Sequence, residues 1–285
     1  MDVMTRKPIT VALVYDFDGT LSPGNMQEYD FIPSVGKKNE EFWAESNRLA
    51  EEQDADSILI YMWKMIREAQ VSQIPVRRED FHKSGRKIGL FEGVREWFGR
   101  INAYAAAKGI RTEHYINSSG IKEMIEGTEI AHEFRHIYAC SFLYDHNGIA
   151  VWPAVSVNYT NKTQFMFKIN KGIEEVFDSH RINKYVPEEE RPVPFRNIIY
   201  FGDGTTDIPC MKLVREKGGH SIAVYPPEER ESRREAMQAL IDENRVSYAC
   251  GADYRAGNGL DILVKRIIDK IEADSLLEDL TGVNE

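Results

Sequence analysis

A chain of 285 residues with 42% hydrophobic content, 20 Gly and 11 Pro has enough apolar material for one sizeable core and a smaller satellite, which excludes disordered and fibrous classes. Its 36 Lys and Arg against 46 Asp and Glu leave a formal charge of −10, so broad attraction to nucleic acid or to an anionic membrane is not expected, and an anionic ligand must be held by local cations. Cys140, Cys210 and Cys250 are too few and too scattered for a disulfide framework or a CxxC metal knuckle, and they read as buried thiols of a cytoplasmic protein.

The first eight residues are short and mixed in charge, and the apolar run behind them has only the length of a strand, so no signal-peptide core is expected. No stretch approaches the roughly 18 apolar residues of a membrane helix. That run, Ile9–Tyr15, is rich in β-branched residues and ends at Asp16-Phe17-Asp18-Gly19-Thr20, which predicts a buried strand followed by a tight turn. Residues 24–86 carry helical signals only, the clearest being Ile58, Leu59, Met62, Met65, Ile66 and Ala69 at three- and four-residue spacing.

An amphipathic helix over 94–108 stops at Gly109 and feeds a strand over 111–117, after which a helix is expected to start near Ser118-Ser119-Gly120. Residues 141–152 read as a hairpin around Asp145-His146-Asn147-Gly148, and 163–177 as a helix. A strand over 197–201 ends at Gly202-Asp203-Gly204-Thr205-Thr206-Asp207. An apolar segment over 221–225 follows, and two charged helices close the chain. Strands separated by helices predict an α/β fold with a doubly wound parallel sheet. In such sheets ligands gather at the strands' carboxyl ends, which is where Asp16, Ser118 and Asp203 fall.

Two carboxylates at i and i+2 in a sharp turn can serve one phosphoryl transfer, Asp16 as nucleophile and Asp18 as the acid/base that manages the leaving-group proton. Such a site needs cations, because a carboxylate repels a phosphoryl group. Asp203 and Asp207, with Asp16, can hold a hard cation such as magnesium. Lys162 is the candidate second cation, and Ser118, with Ser119 and Gly120, the candidate phosphate contact.

Taken in order, Asp16-Phe17-Asp18-Gly19-Thr20-Leu21, Ser118, Lys162 and the segment from Gly202 to Asp207 resemble the four motifs of the haloacid dehalogenase-like superfamily. The first and fourth are specific; Ser118 and Lys162 are carried by position. The resemblance implies a Rossmann-like core over 1–21 and 91–285, and an inserted α-helical cap over 22–90 like that of the phosphoserine phosphatase-like branch. It also implies Mg2+ held by the Asp16 carboxylate, the Asp18 carbonyl and Asp203 with support from Asp207, and hydrolysis of a small phosphorylated metabolite through phosphoaspartate. Glu28 is displaced from the position of that branch's substrate-reading Glu.

Other readings compete. His132-Glu133-Phe134-Arg135-His136 matches the HExxH pattern of zinc metalloproteases if it lies on a helix. Retention of both Asp16 and Asp18 weighs against a non-catalytic binding module, while a phosphotransferase or mutase would use the same residues. Lys168 and Lys171 compete with Lys162. The aromatic residues Tyr29, Phe31, Phe42, Trp43, Tyr61 and Trp63 either line a substrate pocket or pack among themselves, and Arg48, Arg67, Arg77 and Arg78 either greet an acidic substrate or lie on solvated helix faces. No signature sets an oligomeric state.

Overall fold

The computed structural model describes residues 9–282; the segment before Ile9, where no signal peptide is expected, lies outside them. Strand β1 (Ile9–Tyr15) is buried on both faces from Val11 onward. A run of Val, Ala and Leu with no polar alternation is what a strand sandwiched between helices requires. Between β1 and α5 (Val94–Ala106) the named elements are all helical: a 3-10 turn at Met26–Glu28, then α1 (Phe31–Ser34), α2 (Asn39–Glu52), α3 (Ser57–Val71) and α4 (Arg78–Gly85). The rest follows as β2 (Ile110–Ile121), α6 (Lys122–Glu126), β3 (Phe134–Tyr144), β4 (Ala150–Val155), α7 (Lys162–Lys171), α8 (Ser179–Asn183), β5 (Ile198–Gly202), α9 (Ile208–Glu216), β6 (His220–Tyr225), α10 (Arg230–Asp242), β7 (Tyr248–Gly251) and α11 (Gly259–Gly282).

The seven strands form one sheet in the order β4-β3-β2-β1-β5-β6-β7. All neighbours are parallel except β3 and β4, which form the expected hairpin. This is the Rossmann-like α/β fold, and its strand order reverses direction at β1, so a crevice opens beside the carboxyl ends of β1, β2 and β5. Strand alternation sets what each face receives. Tyr15 turns toward α5, where Trp97 and Phe98 pack, while Asn117 on β2 turns the other way and bonds the Lys162 carbonyl and Met166 of α7. Asp16, one residue after Tyr15, therefore emerges on the α7 side.

Four local expectations need correction. First, β2 runs on through Ser118, Ser119 and Gly120 to Ile121, and the helix starts only at Lys122, because Ser118 and Ile121 pair with Ala139 and Cys140 of β3 around a bulge. Second, the HExxH segment does not form an α-helix. His132 and Glu133 lie in a 3-10 turn, whereas His136 is on β3 with its ring 4.4 Å from that of Tyr138. Phe134, Ile137, Tyr138 and Phe142 favour a strand, and parallel pairing to β2 secures it. The zinc-protease reading falls with the helix it needed. Third, α7 stops at Lys171 because Gly172 takes a left-handed conformation, φ +66°, that ends it. Fourth, the four-residue β7 separates the two closing helices. Cys140 and Cys210 are buried as expected, and Cys250 is half-buried.

Behind β1 a buried polar chain fixes one histidine's charge. Trp97 Nε1 donates to the Tyr15 hydroxyl (2.9 Å), which donates to His114 Nδ1 (3.0 Å). His114 Nε2 in turn donates to Asn102 Oδ1 (2.8 Å). The chain is complete only with a neutral imidazole, and burial pushes the His114 pKa down to about 3. That folded value is below the unfolded one, near 6.5, so this contribution is complete above about pH 6.5 and is lost as pH falls toward 3. From pH 7.5 to pH 5 the expected loss is about 2 kcal/mol. Urea unfolding of wild type and His114→Gln at both pH values checks it: the wild type should lose more stability than the variant by that amount. Equal losses would contradict the assignment.

Candidate active site

The turn after β1 does two things at once. Gly19 has φ +74°, and a Cβ there would lie 2.1 Å from Asp203 Oδ2, so only glycine lets the β1 turn and the β5 turn meet. The close approach brings Asp16 and Asp203 together with Asp207, with one carboxylate oxygen of each within 4.8 Å of the others. Among the described residues no other cluster of His, Cys, Asp and Glu comes close enough to hold a metal ion.

Lys162 resolves the choice among the three lysines. Fully buried at the start of α7, its Nζ lies 2.5 Å from Asp207 Oδ1 and 3.1 Å from Asp16 Oδ1. Burial works against its charge, but Asp16 and Asp207 outweigh that and hold the ammonium protonated. Lys168 and Lys171 instead cap backbone carbonyls of residues 175–184. Both Asp207 oxygens are engaged: Lys162 and the Tyr200 hydroxyl (2.6 Å) share one, and the Gly204 amide (3.3 Å) binds the other. Tyr200 was not legible as a site residue, because in the sequence it is one more apolar position of a buried strand.

Asp16 and Asp203 are not saturated. Asp16 Oδ1 is buried and, despite the nearby ammonium, receives no aligned hydrogen bond. Burial first and Asp207 second raise the Asp16 pKa to about 6, against the pull of Lys162. Burial, then Asp16 and Asp207, raise that of Asp203 to about 8. Three carboxylates against one ammonium are short of positive charge. An all-oxygen donor set in that condition fits a hard divalent cation. Asp18 accepts the Met26 amide (3.0 Å), and burial, followed by the charge of Asp16, holds its carboxyl well above the usual range.

Ser118 is buried at the tail of β2, where its Oγ accepts the Gly120 amide (3.0 Å), leaving the hydroxyl hydrogen free to donate. Ser119 presents a buried Oγ without a partner, and its carbonyl accepts the Tyr61 hydroxyl (2.5 Å) from α3. Asp16, Asp18, Ser118, Ser119, Gly120 and Asp203 all face one cavity of about 400 Å3. The helical segment supplies its other wall, including Gln27, Glu28, Trp43, Ile58 and Tyr61. Trp43 Nε1 and Asn25 Nδ2 both donate to Glu28 Oε1 at 2.7 Å. Phe31 and Phe42 are core residues and Trp63 is exposed elsewhere, so the expected aromatic set divides between lining and packing. None of Arg48, Arg67, Arg77 and Arg78 lines this cavity.

The chain matches the haloacid dehalogenase-like hydrolase family over residues 13–212 and belongs to it. It is 29% identical over 290 residues to an uncharacterized protein of Borreliella burgdorferi, covering 90% of this chain and 96% of that one. Two solved structures share the fold. A HAD family hydrolase from Salmonella enterica serovar Typhi aligns with a TM-score of 0.55 at 17% identity, over 91% of this chain and 72% of that one. A substrate-bound phosphoserine phosphatase aligns with a TM-score of 0.52 at 14% identity, over 85% of this chain and 93% of that one. No described helix is long and apolar enough to cross a membrane.

Proposed function

We propose that the protein is a magnesium-dependent phosphatase acting on a small phosphorylated metabolite, with Asp16 as nucleophile. The observation that carries this reading is the convergence of Asp16, Asp18, Ser118 and Asp203, from three separate strand ends, on one cavity backed by Lys162. Asp16 and Asp203, with the Asp18 carbonyl, would hold Mg2+, and Asp207 would support them through Lys162 and Tyr200. When bound, the cation offsets carboxylate charge and orients the phosphate.

An Asp16 oxygen attacks phosphorus, the bond from phosphorus to the ester oxygen breaks, and the Asp18 carboxyl, whose pKa burial raises, gives its proton to the leaving alcohol. Asp18, now a carboxylate, takes a proton from water as that water attacks the phosphoaspartate, which frees phosphate and restores Asp16. Ser118, Ser119 and the Lys162 ammonium hold the phosphoryl oxygens. Residues 22–90 act as a cap on a core made of 1–21 and 91–285. Glu28, Trp43 and Tyr61 of the cap face the organic part of the substrate, and cap closure keeps bulk water from the phosphoryl group.

Phosphate release from a panel of phosphorylated metabolites, with and without magnesium, tests the reading. Release that requires magnesium and is abolished by EDTA is expected for at least one compound. Phosphate moved only to a second organic acceptor would identify a phosphotransferase instead, and magnesium-independent release would remove the metal from the account.

A further inference from the structure

Helix α3 has two used faces. Tyr61 and Ile58 look into the catalytic cavity, while Leu59, Ile60 and Trp63 line a separate groove of about 460 Å3 together with Leu49 of α2 and with Trp152 and Pro153 of β4. Around that groove large apolar side chains stand in solvent: Trp152 is 62% exposed, Leu143 56%, Leu59 42% and Trp63 39%. Leu143 and Trp152 are directly paired across the β3–β4 hairpin, so they share a face and form a ridge beside the groove.

We propose that this patch is the two-fold interface of a homodimer, in which Trp152 of each copy seats in the groove of the other. Three features of the patch fit a second copy of this chain. Ridge and groove lie side by side on one patch, so a two-fold rotation makes each the complement of the other, as an isologous contact requires. The four exposed side chains offer on the order of 400 Å2 of apolar surface per copy, or about 800 Å2 for the pair. That equals the apolar share, roughly 65%, of a homodimer interface at the small end of the standard range, about 1,200 Å2. Charge is the third feature. Each copy carries −10, yet the one charged residue lining the groove, Asp56, is already occupied in capping α3 and in bonding Asn158, so the groove itself presents no free like charge to a second copy.

Strand addition is not the mode of contact. The start of the β4 edge is covered where Ala150 N–H bonds the Val76 carbonyl (2.9 Å) and Arg77 bridges Ile149, and Pro153 lacks an amide hydrogen further along. The contact is side-chain packing. It spans α2, α3 and β4, so dimer formation ties the helical segment to the sheet on the face of α3 that points away from the catalytic cavity.

Sedimentation velocity of the full chain at tens of micromolar should give a species of twice the 32.7 kDa chain mass. Trp152→Asp, at a solvent-exposed position, should return it to the chain mass with an unchanged far-ultraviolet circular dichroism spectrum. Leu59→Asp, at an exposed position on the groove wall that receives Trp152, should do the same. A wild type that stays monomeric overturns the proposal, and so does a dimer that survives Trp152→Asp. A Leu59→Asp chain that stays dimeric also overturns it, by contradicting the seating.

Discussion

Asp16→Asn is expected to lower kcat by roughly a thousandfold or more, because the amide has no charge with which to attack phosphorus. The same substitution should leave thermal stability in metal-free buffer unchanged or higher. Asp16 is buried, and its pKa is lifted to about 6 by burial and by Asp207, so its ionised form at neutral pH is a cost to the fold that the isosteric amide removes. Lys162 keeps a buried partner in Asp207 after the change. Turnover assays beside thermal melts separate the two effects. Wild-type turnover by the variant would end the nucleophile assignment, whereas lost turnover with a large fall in melting temperature would make Asp16 a structural residue.

The second large effect is expected at Asp18 and should depend on the substrate. Burial, with Asp16 next to it, holds the Asp18 carboxyl well above the usual carboxylate range, which favours the protonated form that a donor to the leaving oxygen needs. An alkyl leaving group needs that proton; a nitrophenolate does not. Asp18→Asn should therefore cost about 100- to 10,000-fold in kcat on alkyl phosphates and far less in the phosphorylation step on p-nitrophenyl phosphate. Pre-steady-state release of nitrophenol isolates that step from the later hydrolysis. Equal losses on both substrates would mean that Asp18 does not act on the leaving group.

Much of this site was legible because its strongest signals are local. A β-branched run ending in Asp-x-Asp-Gly can be read from the eleven consecutive residues Ile9–Gly19, and the backbone around Asp16 and Gly19 follows from it. What the sequence could not show is set by pairing across the sheet. Ser118 reads as a helix start from its own neighbours, yet the bulged ladder with Ala139 and Cys140 keeps it extended and aims it into the cavity. His132 and His136 have helical spacing, but β2 offers Phe134–Tyr144 a better partner than solvent. Tyr200 and Trp43 contribute through single hydrogen bonds to Asp207 and Glu28, a role that no spacing encodes. Lys162 leads Lys168 and Lys171 in the sequence by its place in the motif order alone, and the start of α7 sets it, fully buried, between two carboxylates.

Rapid acid quench of the magnesium-loaded enzyme, mixed with a phosphate-labelled substrate found in the metabolite panel, tests the central claim most directly. The account predicts label on the peptide containing Asp16 within one turnover, sensitive to hydroxylamine as an acyl phosphate is, and absent in Asp16→Asn. Label that never appears on the chain while labelled phosphate is released in the same interval would contradict the phosphoaspartate and leave direct attack by water.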